Sequence, residues 1–90
     1  PLLRRPYSVY AADPARSEVR FLVRPYGRGS SWLARRVPGE VLDMLGPLGN
    51  TYRIDPNARR LLMVAGGVGV APLVMLAAEA IAAGREVAFL

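Results

Sequence analysis

The 90-residue chain contains no cysteine, no histidine and no lysine. Without cysteine there is no disulfide and no thiolate ligand, and without histidine the usual nitrogen ligand is missing too. These residues therefore exclude a protein-ligated zinc site, an iron–sulfur cluster held by this segment, and a Ser-His-Asp triad. Aromatic residues are sparse at 8%, and acidic ones are outnumbered seven to twelve, leaving a formal net charge of +5. No dense basic run occurs. The cations fall in pairs and singles, among them Arg4–Arg5, Arg35–Arg36 and Arg59–Arg60. With little aromatic interleaving, that scatter argues against nucleic acid as a partner. The N-terminus lacks the basic, apolar and small order of a signal peptide. The chain opens on Pro1 in mid-pattern and stops at Leu90 inside an apolar run, which predicts a piece of a longer protein.

What is present is apolar and arginine-rich. Hydrophobic residues make up 52% of the chain, too many for a disordered tail or a low-complexity linker. Ninety residues still bound the core to that of one small domain at most. All twelve cations are arginine, whose planar fork of donors suits phosphate; most of them are expected simply to face solvent. The longest uncharged stretch is LLMVAGGVGVAPLVMLAA, Leu61 to Ala78. It just reaches the length of a membrane-spanning helix. However, Gly66, Gly67, Gly69 and Pro72 interrupt it, Glu79 lies just beyond, and a second β pattern follows. Two elements joined by a turn account for it better than a membrane span.

The rest of the chain divides into short elements. PYSVYAA, rich in aromatic and β-branched residues, predicts a strand ended by the turn DPARS. EVRFLVR alternates, with Val19, Phe21 and Val23 on one side and Glu18, Arg20 and Arg24 on the other, and predicts a second, antiparallel strand. GRGSSWLARR predicts a short helix starting near Gly29, Ser30 or Ser31 and stopped by Pro38-Gly39. EVLDML predicts another short strand before the turn-rich GPLGNTY, and DPNARR marks a boundary. Beyond it the pattern changes. RRLLMVA is a continuous apolar run, as in a strand covered on both faces. GGVGVAP is a glycine turn, and a helix follows from Ala71 or Pro72 with Val70, Leu73, Val74, Ala77, Ala78 and Ile81 as its buried stripe. Gly84 is placed to cap that helix, and REVAFL starts a further strand. Strand, turn, helix and strand make a βαβ unit, expected to be right-handed.

Two clusters are candidates for chemistry. Gly66-Gly67-Val68-Gly69-Val70-Ala71-Pro72 joins a strand to a helix, where bare backbone amides and the helix dipole favour a pyrophosphate. The competing reading is a tight turn that binds nothing, and the two are evenly balanced. Arg5-Pro6-Tyr7-Ser8 sets an arginine, a ring and a hydroxyl within four residues. On a strand Arg5 and Tyr7 share one face. An ordinary strand with a surface arginine and a half-buried tyrosine would look the same.

RPYS, GRGSS, GPLGN and GGVGVAPL, in that order, resemble the ferredoxin reductase superfamily. Within it, PLLRRPYSVY and LLMVAGGVGVAPL are most similar to the electron-transfer subunits of bacterial dihydroorotate dehydrogenases, enzymes of pyrimidine biosynthesis. The likeness runs through nearly the whole chain. It implies a mixed β and α/β fold, with residues 1–58 forming the C-terminal part of an antiparallel FAD-binding β-barrel. Residues 59–90 would be the first βαβ unit of a Rossmann-like NAD-binding domain. By the same resemblance Arg5 would contact the FAD pyrophosphate, Tyr7 would pack on the isoalloxazine, and Ser8 would bond near flavin N5, which makes Tyr7 and Ser8 the catalytic candidates. Gly29, Ser30 and Ser31 would donate to the same pyrophosphate at a helix N-terminus. Gly66, Gly67 and Gly69, with Pro72, would shape the NAD(P) side of the cleft. The implied protein is a cytoplasmic oxidoreductase component that moves electrons from a nicotinamide dinucleotide through FAD to a catalytic dehydrogenase subunit. Its 2Fe-2S cluster would be held by a C-terminal cysteine cluster that lies outside Pro1–Leu90. A related alternative keeps this chemistry and makes the chain part of a reductase subunit of another flavoprotein complex. Tyr7 departs from the aliphatic residue common in these subunits, and Val68 replaces the threonine common in other reductases. The alternative is an inactive fragment whose unpaired strand edges lead it to self-associate.

Overall fold

A computed structural model describes residues 3–90; Pro1 and Leu2, the start of the expected barrel segment, lie outside the described residues. The architecture is mixed β and α, with two two-stranded sheets and two helices. The first sheet pairs β1 (Val9–Asp13) with β2 (Glu18–Phe21) in antiparallel fashion. Their connection is the turn the sequence announces. Asp13 Oδ1 accepts from the Arg16 amide at 3.3 Å, Pro14–Arg16 make one 3-10 turn, and Ser17 closes it at φ +53. Val9 faces Phe21 and Ala11 faces Arg20, so the register slips at Tyr10 as a bulge.

Both strands are shorter than PYSVYAA and EVRFLVR predict. Arg5 to Ser8 precede β1 as an irregular segment, and Leu22 to Arg24 follow β2 in the same state. A strand needs a ladder partner, and Pro6 brings no amide to one. The predicted inward face of β2 is also only partly buried: Phe21 and Val23 are half-covered, but Val19 is 49% exposed. EVLDML forms no strand; Val41 to Leu45 are exposed irregular chain, with no neighbouring strand among the described residues. Asp43 there is tied to Arg4 by an ion pair of 2.6 Å.

The short helix α1 (Arg28–Ala34) begins slightly earlier than the serines suggest. Its N-cap is Gly27 at φ +85, a conformation that suits glycine, and no side chain bonds at the cap itself. It ends before Pro38, where Arg36 closes a small cluster. The Arg36 guanidinium lies 4.3 Å from the Trp32 ring centroid and pairs with Glu40 at 2.9 Å.

The second half closes on itself. β3 (Arg60–Met63) and β4 (Glu86–Phe89) pair in parallel, with α2 (Ala71–Ala82) between them in the chain. The uncharged run from Leu61 to Ala78 is thus divided among β3, a 3-10 turn over Gly67–Val70, and α2. No helix among the described residues is long and apolar enough to cross a membrane. Pro72 sits in the first turn of α2, as expected. Gly84 at φ +84 terminates it: the Gly84 amide bonds Ile81 O and the Arg85 amide bonds Ala80 O, both at 3.0 Å.

The core comprises Met63, Ala71, Leu73, Ala77 and Ala80. The buried stripe of α2 therefore overlaps the predicted one at Leu73 and Ala77 but differs elsewhere. Ala71 and Ala80 are buried, Val70 and Val74 are half-covered, and Ala78 and Ile81 are exposed. The reason is that α2 packs against β1 as well as β4, so its covered face is turned by two neighbours. Leu61, Ala65, Leu76 and Val87 complete the packing around Met63, Leu73 and Ala77.

Candidate functional site

The two candidate clusters differ in how the chain builds them. At the first, the Arg5 side chain passes directly over Gly29. A Cβ placed on Gly29 would stand 3.0 Å from Arg5 Nε, 3.2 Å from its Cγ and 3.5 Å from its Cζ. Residues 24 apart in sequence therefore meet because one has no side chain. Arg5 Nη1 donates to Leu3 O at 2.9 Å, which holds the guanidinium in this pose while the side chain remains exposed. Tyr7 is half-buried and Ser8 exposed in the segment just before β1.

The loop under Arg5 is held from below. Ser30 Oγ accepts from the Tyr26 amide at 2.6 Å and donates to Tyr26 O at 2.7 Å. The Ser31 amide bonds Gly27 O at 3.2 Å. Neither bond of Ser30 was legible as a sequence motif, although a small hydroxyl residue in the first turn of a helix is the signal for such a back-reaching bond.

The second cluster is the turn between β3 and α2. Gly67 has φ +55, so its identity has a backbone reason. Gly66 and Gly69 have neither positive φ nor a neighbour that a Cβ would meet within 4 Å. Nothing within the described residues accounts for the absence of a side chain at these two positions. The Gly69 amide is already bonded to Gly66 O at 2.9 Å, so the 3-10 turn removes it from the set of free donors. What Gly69 contributes is clearance.

One residue that sequence reasoning treated as surface charge has a defined task. Arg85 Nη1 donates to Asp55 O at 2.8 Å and to Ala58 O at 2.9 Å, anchoring the Asp55–Ala58 segment beside the start of β4. Two surface concavities adjoin it. One is lined by Arg59, Arg60, Gly84 and Arg85, the other by Tyr52, Ile54, Leu76 and Glu79. Neither is lined by Arg5, Gly29 or the Gly66–Gly69 turn.

Comparison with curated proteins identifies the chain's relatives. It is 43% identical over 86 residues to the dihydroorotate dehydrogenase B (NAD(+)) electron transfer subunit of Geobacillus sp. (strain WCH70), covering 93% of this chain and 34% of that protein. It is 40% identical over 89 residues to the subunit of the same name from Bacillus caldolyticus, covering 97% of this chain and 35% of that protein. The subunit from Geobacillus kaustophilus matches to the same extent. Nearly the whole chain is homologous to part of such a subunit. It spans about a third of the length of these electron transfer subunits. No protein-family model matches the chain, and no solved structure matches it significantly.

Proposed function

We propose that the chain is the flavin- and nicotinamide-facing part of an electron-transfer subunit. The parent protein would move electrons between NAD(P)H and a partner dehydrogenase through FAD. The observation that carries this reading is the passage of Arg5 over the bare Cα of Gly29, which sets a permanent cation beside a backbone with no side chain in the way. That is a fitting cradle for a diphosphate. Arg5, the Gly29 and Ser30 backbone amides and the Ser31 hydroxyl would hold the FAD pyrophosphate. Tyr7 would lie against the isoalloxazine, and Ser8 would donate near its N5. Gly66, Gly67 and Gly69 would leave clearance for the nicotinamide nucleotide, which gives a physical reason for glycine at two positions that otherwise have none. When bound, the flavin would supply the redox chemistry, accepting a hydride and passing electrons on singly. The chain's own residues bind and orient. They offer no thiolate, so a 2Fe-2S cluster would be held elsewhere in the subunit. In this reading residues 3–58 belong to the FAD-binding barrel and 59–90 open the Rossmann-like domain.

The test is an FAD titration of the intact, flavin-free protein, followed by quenching of flavin fluorescence. Arg5→Ala should weaken binding about 10- to 100-fold, the effect of losing a charge-assisted contact. Arg5→Lys should not restore it fully, because a point charge does not reproduce the fork. Gly29→Ala should weaken binding less while leaving the fold intact, because the flexible Arg5 side chain yields first. Intact protein that takes up no FAD overturns the proposal.

Exposure of Val41 at 95%, Leu3 at 78% and Leu48 at 75% favours a second reading for the isolated chain, self-association. Sedimentation over a concentration series separates the two, because a monomer that binds FAD excludes it.

A further inference from the structure

Among the described residues, no strand of the β1–β2 sheet pairs with a strand of the β3–β4 sheet. The contacts between these two parts differ in kind. α2 packs against β1 and β4, and its buried residues are Ala71, Leu73, Ala77 and Ala80. Apolar packing of this sort is non-directional, so it sets a spacing but resists sliding only weakly. Arg85 supplies a directional tie. Its Nη1 carries two protons and bonds Asp55 O at 2.8 Å and Ala58 O at 2.9 Å, from a half-buried side chain. The receiving turn is closed on itself: the Asn57 amide bonds Asp55 Oδ1 at 2.9 Å and the Ala58 amide bonds Asp55 O at 3.0 Å. The next carbonyl, Arg59 O, accepts from the Glu86 amide at 2.8 Å. Arg85 and Glu86 thus hold the neighbouring carbonyls of Ala58 and Arg59, and the connecting chain is fixed from Asp55 onward.

We propose that Arg85 is a positioning residue. It fixes the entry of the connecting chain into β3, and thereby the spacing between the Arg5–Gly29 cluster and the Gly67–Gly69 turn. The functional consequence rests on the flavin reading above. Arg85 follows the C-terminal end of α2 and the glycine turn precedes its N-terminal end, and twelve helical residues span about 18 Å. Arg85 therefore acts through the helix and the connecting chain. Hydride transfer needs near-contact of the reacting atoms, and a displacement of about 1 Å can cost about 100-fold in rate. Each nucleotide would be held within its own part of the chain. Loosening the tie should then slow transfer and leave both affinities alone.

Two measurements on the intact protein test this. In the flavin-free protein, residual dipolar couplings report whether the two sheets keep one relative orientation. Wild-type amides of both sheets should fit a single alignment. In Arg85→Met, which keeps an apolar stem and removes the donors, the two sheets should need separate ones. The second measurement loads the protein with FAD and mixes it rapidly with NADH. The limiting rate of flavin bleaching should fall about tenfold in Arg85→Met. Its FAD content and apparent NADH affinity should stay within about threefold of wild type. Arg85→Lys, which can still donate to both carbonyls, should return to a single alignment and to within about threefold of the wild-type rate. A single alignment in Arg85→Met, or a wild-type limiting rate, overturns the proposal. So does a slower rate matched by an equal loss of NADH affinity or bound FAD, which marks general destabilisation. A wild-type protein that takes up no FAD removes the flavin reading alone, because the couplings decide the role of Arg85 without flavin.

Discussion

The two parts of this chain, up to Ala58 and from Arg59 on, differ in how much apolar sequence they bury as well as in how densely they carry it. From Leu3 to Ala58 not one residue is fully buried, whereas Met63, Ala71, Leu73, Ala77 and Ala80 form a core within the last third. The difference comes from layering. A βαβ unit brings its own second layer, because the connection between two parallel strands is a helix that lies on them. An antiparallel hairpin brings only itself, and its apolar side chains stay exposed until another sheet or helix covers them. Here α2 packs against β1. The apolar stretch from Val37 to Leu48 has no such cover among the described residues, yet it includes Val41, Leu45 and Leu48.

The largest expected effect breaks this contrast most directly. Leu73→Ala, at a position 8% exposed, should cost about 2–3 kcal/mol in urea unfolding of the protein. Leu48→Ala, at 75% exposure, should change stability by less than about 0.5 kcal/mol. Equal losses would show that residues 37–48 are covered in solution. A middle-sized effect probes the junction. Arg85→Ala removes the donor from Asp55 O and Ala58 O and should cost about 1–2 kcal/mol, with faster amide exchange confined to residues near 55–58. Unchanged exchange there would sever the anchor from the boundary. The smallest effect is at Arg60, whose 3.2 Å pair with Glu86 joins two largely exposed side chains. Arg60→Ala should change stability by no more than about 0.5 kcal/mol, and less in high salt.

Legibility followed the same division. The apolar run, the glycine turn, Pro72 in the first helical turn and the Gly84 cap are local signals, and each specified its element without help from a distant partner. EVLDML failed because a strand is a relation between two segments, and its six residues have no strand to pair with among the described residues. The alternation in EVRFLVR marked a face that is half-covered at Phe21 and Val23 but overstated it at Val19, which is 49% exposed. The stripe on α2 was displaced for a related reason: periodicity fixes which residues share a face, but the neighbours decide how far that face is turned. Among the site residues, Arg5 and Gly29 were picked out by motif alone. The bonds of Ser30 and Arg85 were not, because a hydroxyl and a guanidinium can bond to many things and the sequence does not say which carbonyl comes within reach.

The sequence by itself determined the punctuation of this protein, because glycine, proline and cap residues act on their own backbone through φ and through missing or added donors. It also determined that these ninety residues supply no thiolate or imidazole. Only the tertiary structure decided which apolar residues are covered, that Arg85 anchors Asp55 and Ala58, and that Arg5 lies over Gly29. Those are meetings between residues far apart in the chain, and their free energy depends on distances that no local pattern encodes.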